Sequence, residues 1–320
     1  MFETIDRIDS DEGNVAKFVF KKPDAVAEAV LYRYPDYQTR TVICCSTMAG
    51  CPMGCRFCGA GDFFSRRLTA EEIVAQVIHC IGQTGEEAHN MKRLQIMFMS
   101  MGEPMLNWPP MEKAIIALHA IYPNAALLVS TSGPAVDYGP IIKLSREIES
   151  IGLQFSVHES TDEKRDLLIP FKKKLTLDEM ATIGKAWHVL VGRKPFFNYC
   201  AHDENSSAED ARRLLDLFDP KIWNATVSVV CERNEGLPAR SEHQRNLATN
   251  FSEKLIRLGY DVRVFDPAGQ DDIGGGCGQL WFVQQWAKDH PEATHNSIGA
   301  GLPVVHAPNQ QQHQPKGDVA

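Results

Sequence analysis

Leu94-Gln95-Ile96-Met97-Phe98-Met99-Ser100-Met101-Gly102-Glu103-Pro104 is an apolar β-type run closed by a tight, charged turn. An amphipathic helical pattern follows at Met111–Ile121, and a second β-type run at Ala126–Thr131. Strand, helix and strand at this spacing form a βαβ unit, which joins parallel strands. The pattern extends in both directions. Upstream lies the run Thr41–Cys45, then a helix opening at Thr69-Ala70-Glu71-Glu72 and continuing through Ile73, Val77 and Ile81. Thr69 suits an N-cap, with two carboxylates in the first turn. Downstream, the runs Leu153–His158, Phe196–His202, Thr226–Val230 and Tyr260–Phe265 alternate with helical patterns at Gly139–Ile148, Leu177–Leu190, Ala208–Phe218 and Glu242–Leu258. At least six such units predict an α/β fold with a parallel sheet, closed or nearly closed into a barrel. Functional residues in such a fold sit at the C-terminal ends of the strands.

The flanks read differently. Val15–Phe20 and Val26–Tyr34 alternate like a small hairpin, so residues 1–40 are expected to be an N-terminal β-extension of a barrel over 41–285. Beyond about Asp289 the chain is rich in Gly, Pro, Asn, Gln and His, and 286–320 is expected to be a disordered tail. Across 320 residues, 33 Lys+Arg against 41 Asp+Glu give a net charge of −8, with 43% hydrophobic and 23% charged residues. That balance excludes collagen-like, wholly disordered and disulfide-stapled classes. No apolar stretch reaches the roughly 18–20 residues of a membrane span. Met1-Phe2-Glu3-Thr4 opens without a basic n-region or an apolar h-region, so a cytoplasmic location is expected. In a reducing compartment nine cysteines point to metal binding or catalysis. The acidic balance disfavours a broad nucleic-acid surface. It leaves one local basic cluster, Lys164, Arg165, Lys172, Lys173 and Lys174, whose plain reading is a solvated face.

Cys51-Pro52-Met53-Gly54-Cys55-Arg56-Phe57-Cys58 then places three thiols within eight residues, in a Gly-containing loop after a strand. Such spacing can wrap three corners of a cubane. A zinc site wants a fourth ligand, and none is evident nearby. A [4Fe–4S] cluster normally takes four cysteines, so three leave one iron open to a small molecule. The alternatives are a three-Cys zinc site or unrelated core thiols.

Cys-x3-Cys-x-aromatic-Cys resembles the signature of the radical S-adenosylmethionine (SAM) superfamily. The resemblance implies a partial (β/α)6 barrel, a [4Fe–4S] cluster on Cys51, Cys55 and Cys58, and SAM on the open iron. The cofactor would carry the radical chemistry, with the protein supplying binding and orientation. Gly102-Glu103-Pro104 matches the superfamily segment that holds the SAM ammonium, a cation that needs acceptors. Ser130, Ser156, Val157 and His158 match SAM-contacting strand ends, although a lone Ser or His is as often a satisfied structural hydrogen bond.

Longer stretches resemble the dual-specificity RNA methyltransferases that methylate adenine C2 in 23S rRNA and tRNA, and their C8-methylating relatives. They are Gly50–Cys58, Phe64–Ile73, Met101–Asn107, Ser130–Gly133, His158 with Asp162–Asp166, Pro170 with Lys172–Lys174, and Asp271–Leu280. The resemblance implies that Cys277 accepts a methyl group from one SAM, and that a radical from a second SAM activates that S-methyl group toward adenine. Cys44 would then attack the sulfur to release product as a disulfide. The logic is chemical: adenine C2 is not a nucleophile, and a covalent intermediate divides a hard step. Cys45 adjoins Cys44, and strand alternation sends only one of them into the barrel. Glu28 matches a family glutamate used in proton transfer, with an ordinary surface carboxylate as the alternative. Cys80, Cys200 and Cys231 read as core. The expected partners are rRNA or tRNA and a low-potential electron donor such as flavodoxin or ferredoxin, with no membrane and a monomeric state.

Three features depart from the family. Only 50 residues precede Cys51, too few for the usual N-terminal helical domain. Val264-Phe265-Asp266-Pro267-Ala268-Gly269 carries no cation where the family has an Arg/Lys-rich strand. Cys231-Glu232-Arg233-Asn234-Glu235-Gly236 replaces a family motif, leaving Asn234 as the candidate for an Asn that touches SAM. Two alternatives therefore stand beside RNA methylation: methylation of a small molecule or peptide by a trimmed homologue, and a non-catalytic Fe–S binding or regulatory protein.

Overall fold

The computed structural model describes residues 2–61, 63–230, 238–269 and 272–289. Seven parallel strands form the centre among the described residues: β4 (Thr41–Cys45), β7 (Leu94–Phe98), β8 (Ala125–Thr131), β9 (Ile151–Ser156), β10 (Phe196–Cys200), β11 (Asn224–Ser228) and β12 (Val262–Phe265). Their spatial order follows the sequence. The intervening helices are α1 (Ala70–Gly82), α2 (Trp108–Ile121), α3 (Gly139–Glu147), α4 (Asp162–Leu168), α5 (Leu177–Val191), α6 (Ala208–Leu217) and α7 (Pro238–Arg257). The longer helices bury an apolar stripe in the same core as the sheet, whereas α4 buries only Arg165 and Leu168.

Local sequence sets the boundaries. Thr69 caps α1 and Glu72 bonds back to its N–H, a reciprocal box repeated by Thr176–Glu179 on α5 and Ser207–Asp210 on α6. Most strands end two residues earlier than the apolar runs suggest. Met99 and Ser100 leave β7, and Val157 and His158 leave β9. Those last apolar positions belong to the loops that build the site. Asp162–Leu168 is a short helix where the sequence shows only a charged run.

The N-terminal extension has three strands, β1 (Thr4–Asp9), β2 (Val15–Lys22) and β3 (Ala25–Arg33), and continues antiparallel into β4. β1 escapes the alternation reading because all six residues are exposed on the sheet edge. A hairpin of β5 (Met48–Gly50) and β6 (Phe64–Arg67) brackets the cysteine loop. The polypeptide after β12 crosses toward β3 and ends in α8 (Trp281–Asp289), extending ordered chain past the expected barrel limit at 285. The tail from 290 lies outside the described residues.

One large core joins the sheet to its helices, with Ile43, Ile96, Leu127, Phe155, Phe197 and Val227 fully buried. Cys45 and Cys80 belong to it. A smaller cluster packs Met53, Ala60, Met101, Leu168 and Ile169 around Cys51 and Cys55.

Candidate active site

Two adjoining cavities occupy the inside of the sheet. Cys51, Cys55 and Cys58 line the first, at the C-terminal strand ends, together with Gly102, Glu103, Ser130, Ser156 and His158. Cys44 lines the second, along the barrel interior, with Met97, Gly275 and Gly276. Met99, Ser100, Phe265 and Pro267 border both.

The cysteine loop is pinned by the backbone. Cys51 donates to the carbonyls of Ala60 and Phe63, and Arg56 N–H reaches Leu168 O at 2.9 Å. Gly50, at φ +73°, permits this closure: a Cβ there would stand 1.9 Å from Phe63 O. Burial pushes the Cys55 thiol up to about 12 and that of Cys51 well upward, with the neighbouring thiols adding repulsion at Cys51. Thiolate ligands are therefore costly here without a cation, and a metal cluster supplies that charge. Among the described residues, no three Cys, His, Asp or Glu side chains close on a single ion. The three thiols stand around a cavity, an arrangement suited to three corners of a cubane.

Glu103 is buried at the end of β7. Its Oε1 accepts from Thr131 Oγ1 at 2.6 Å and Met105 N–H at 3.0 Å, and Oε2 accepts from Ser132 N–H at 2.7 Å. Burial still lifts its pKa to about 7. A carboxylate fixed this way, lining the cavity beside the thiols, has lone pairs left for an ammonium. Gly102 makes the turn possible, since at φ +102° a Cβ would meet Met48 Cβ and Thr47 Oγ1 at 2.6 Å.

His158 occupies a left-handed conformation, φ +61°. Its Nδ1 accepts from Cys200 N–H at 3.1 Å, which places the ring proton on Nε2. Burial, and then the Arg165 charge, push its pKa down to about 3, so it is a neutral donor. Phe57, the aromatic residue of the cysteine motif, meets this ring edge-on at 4.7 Å. Ser130 accepts from Gln154 Nε2 at 3.1 Å.

Several sequence expectations are corrected. Val157 does not face the cavity: its side chain is in the core, its N–H goes to Asn198 O, and its carbonyl accepts from Arg165. Arg165 is no part of a solvated basic face. It is fully buried and donates to the carbonyls of Val157, Leu175, Ser132 and Ser156. Cys200 is buried yet borders the thiol cavity. The strand before the Asp-Asp-Ile segment does carry a cation, Arg263 on β12, one residue upstream of the stretch read as uncharged.

Glu28 is not a surface residue either. It is buried on β3, with Oε2 accepting from Trp281 N–H at 2.9 Å and forming an ion pair with Lys17 Nζ at 3.9 Å. Lys17 also donates to Gln279 O at 3.3 Å, and Tyr32 Oη to Gly275 O at 3.1 Å. All three hold the turn Cys277–Gln279 against β2 and β3. Lys17 and Tyr32 are invisible as site residues in the sequence, being ordinary members of alternating strands. Cys44 faces the interior, while Cys45 points to the opposite side, into the core. The backbone of Cys277 directly follows the Gly275–Gly276 wall. The Cys277 side chain, Cys231 and Asn234 lie outside the described residues.

Known proteins match this chain in sequence and fold. Residues 45–188 match the radical SAM superfamily. A solved radical SAM methyltransferase from Sphaerobacter thermophilus superposes with a TM-score of 0.72 at 28% identity, covering 87% of this chain and 81% of its own. The protein is a radical SAM methyltransferase, and its cofactors are a [4Fe–4S] cluster and SAM. A probable dual-specificity RNA methyltransferase RlmN from Thermus thermophilus is 32% identical over 288 residues, 87% of this chain and 77% of that protein. Its counterpart from Heliobacterium modesticaldum is 31% identical over 276 residues, 82% and 69% respectively. The chain belongs to this dual-specificity RNA methyltransferase family. No helix among the described residues is long and apolar enough to cross a membrane.

Proposed function

We propose that this enzyme methylates an adenine carbon of RNA, C2 first, using Cys277 as the methyl carrier. The observation that carries the reading is the shared interior cavity: Cys44 stands on one wall and the Gly275–Gly276 approach to Cys277 on another, next to the thiol cavity. When bound, the cluster and SAM supply the electron and the carbon radical that open an inert C–H bond. Cys51, Cys55 and Cys58 hold the cluster. The Gly102–Glu103 turn accepts the SAM ammonium, and Ser130, Ser156 and His158 line its other side. Adenine C2 is electron-poor and cannot displace a methyl group itself, so a thioether on Cys277 presents the carbon. Cys44 gives up its thiol proton and its sulfur attacks Cys277 sulfur; the S–S bond forms as the carbon–sulfur bond breaks, the electron pair staying on the product carbon, which takes up a proton to become the methyl group. Glycines around Cys277 let that backbone approach a flat base closely. Single-stranded or splayed adenines can enter such a cavity.

The test is a Cys44→Ala/Cys45→Ala variant, expressed in cells, purified without oxygen, digested with nuclease and protease, and weighed at the Cys277 peptide. A nucleotide adduct on Cys277 is expected. A methylated Cys277 without adduct would overturn the RNA assignment and direct the search to peptides and small molecules. An unmodified Cys277 in a cluster-loaded protein would overturn the carrier role.

A further inference from the structure

The interior cavity does not stop below Cys44. It runs to the N-terminal ends of the strands, where Arg40, Arg93 and Arg263 line it. Arg40 immediately precedes β4 and Arg93 immediately precedes β7, and a backbone bond from Thr41 N–H to Arg93 O at 2.9 Å sets them side by side. Four residue steps lead from Arg40 to Cys44, roughly 13 Å at about 3.3 Å per residue.

Two of these guanidinium groups are positioned by uncharged partners. Arg40 Nε donates to Gln95 Oε1 at 3.0 Å, and its guanidinium lies 4.9 Å over the Tyr34 ring. Tyr34 in turn stacks on Tyr32, with centroids 6.2 Å apart and planes at 9°. Arg263 lies 5.3 Å over Phe196. Among the described residues, none of the three arginines makes an ion pair within 4.0 Å. Asp266, the carboxylate on the cavity wall, pairs with Arg245 at 2.8 Å, and Asp261 acts on Arg263 only at longer range. Burial and the neighbouring Arg93 charge push the pKa values of Arg40 and Arg263 down, so each cation is held against its neighbours' repulsion. Three cations on one cavity of about 270 Å³, beside stacked aromatic rings, fit a planar ligand with an anionic end. That volume is near the lower end of ligand pockets.

We infer that Arg40, Arg93 and Arg263 form a phosphate-binding subsite at the far end of the methyl-acceptor cavity, holding the phosphate of the nucleotide whose base reaches Cys44. The inference rests on reading the cavity as the acceptor site, and its test does not use turnover. Cluster-loaded protein is titrated with inorganic pyrophosphate by calorimetry at low salt, alongside Arg93→Ala/Arg263→Ala. Arg40 is retained because it packs on Tyr34. Saturable binding by the parent, weakened at least tenfold in the variant with iron content and melting unchanged, is expected, together with steep loss of affinity as salt rises. Equal binding by both proteins, or no saturable binding, overturns the subsite. Competition then identifies the source of the phosphate. Displacement of pyrophosphate by AMP but not adenosine assigns a free or terminal nucleotide. Displacement by an adenine-containing oligoribonucleotide but not AMP assigns an internal phosphodiester. Displacement by neither overturns the link to the acceptor. A Cys277–RNA adduct without pyrophosphate binding removes this subsite alone, and pyrophosphate binding without an adduct removes the RNA reading alone.

Discussion

Glu103→Gln isolates what a buried, hydrogen-bonded carboxylate contributes before and after SAM arrives. In the folded protein burial carries the carboxyl from its ordinary 4.5 to about 7. At about 1.4 kcal/mol per tenfold in an equilibrium constant, holding it ionised costs about 3 kcal/mol of stability. Because the folded value is raised, the associated stability is fully present below about pH 4.5 and is lost as pH rises through about 7. Between pH 5.5 and 8.0 this one group should remove about 2 kcal/mol. Urea denaturation of ligand-free protein at those two pH values measures it. The parent should lose about 2 kcal/mol more than Glu103→Gln over that interval, while the variant starts lower by about 1 kcal/mol because its amide opposes the Ser132 N–H donor. SAM reverses the balance, since its ammonium favours the ionised form. SAM affinity of the cluster-loaded parent should therefore fall as pH drops below about 7, and the variant should bind at least tenfold more weakly with no such dependence. An identical pH dependence of stability in parent and variant would refute the reasoning, because the contribution of His158, whose pKa is pushed to about 3, is common to both proteins and cancels in the difference.

Cys58→Ala should lose the cluster, and Cys277→Ala should keep it while abolishing methyl transfer; iron and sulfide analysis with a SAM-cleavage assay separates them. Arg165→Leu should cost about 3 kcal/mol or more in urea denaturation, by stranding buried carbonyls around the Ser132 and Ser156 loops. A loss under 1 kcal/mol would show that water replaces the guanidinium. Lys17→Met should cost about 3 kcal/mol, because Glu28 is left as an unpaired buried carboxylate, and adding Glu28→Gln should recover part of it. Strict additivity in that cycle would mean that the two residues act independently on the Cys277 turn.

The alternation of strands and helices was legible because each βα unit repeats the same burial problem: an apolar strand covered by an amphipathic helix. The three cysteines and the Gly-Glu-Pro turn were legible as candidates for a different reason, since their local spacing alone places them on strand-end loops, and the structure sets both along one cavity. What the sequence hid depends on long-range closure. Arg165 sits in a charged run that looks solvated, and only the convergence of two strand-end loops turns it into a buried donor to carbonyls of Ser132, Ser156, Val157 and Leu175. Glu28 and Lys17 look like charges on an edge strand until the polypeptide beyond β12 returns across β2 and β3.

That return also brings the backbone of Cys277 to the cavity lined by Cys44, 233 positions away in the chain, as the proposed chemistry requires. β4 fixes Cys44 by ladder bonds on both sides, to β3 and β7, so its position is set by the sheet. The Cys277 turn has no strand of its own. It is held through Tyr32, Lys17 and Glu28, each reaching one backbone group of the segment 275–281. In the cycle proposed above Cys277 meets SAM, then base, then Cys44, and a tethered turn opposite a strand-held Cys44 suits it. Weakening the tethers should therefore slow product release more than SAM cleavage. With Tyr32→Phe, the expected result is unchanged formation of deoxyadenosine in the first turnover and accumulation of the Cys277 adduct, read by mass. Loss of both together would place the role of the tether in binding the cofactor instead.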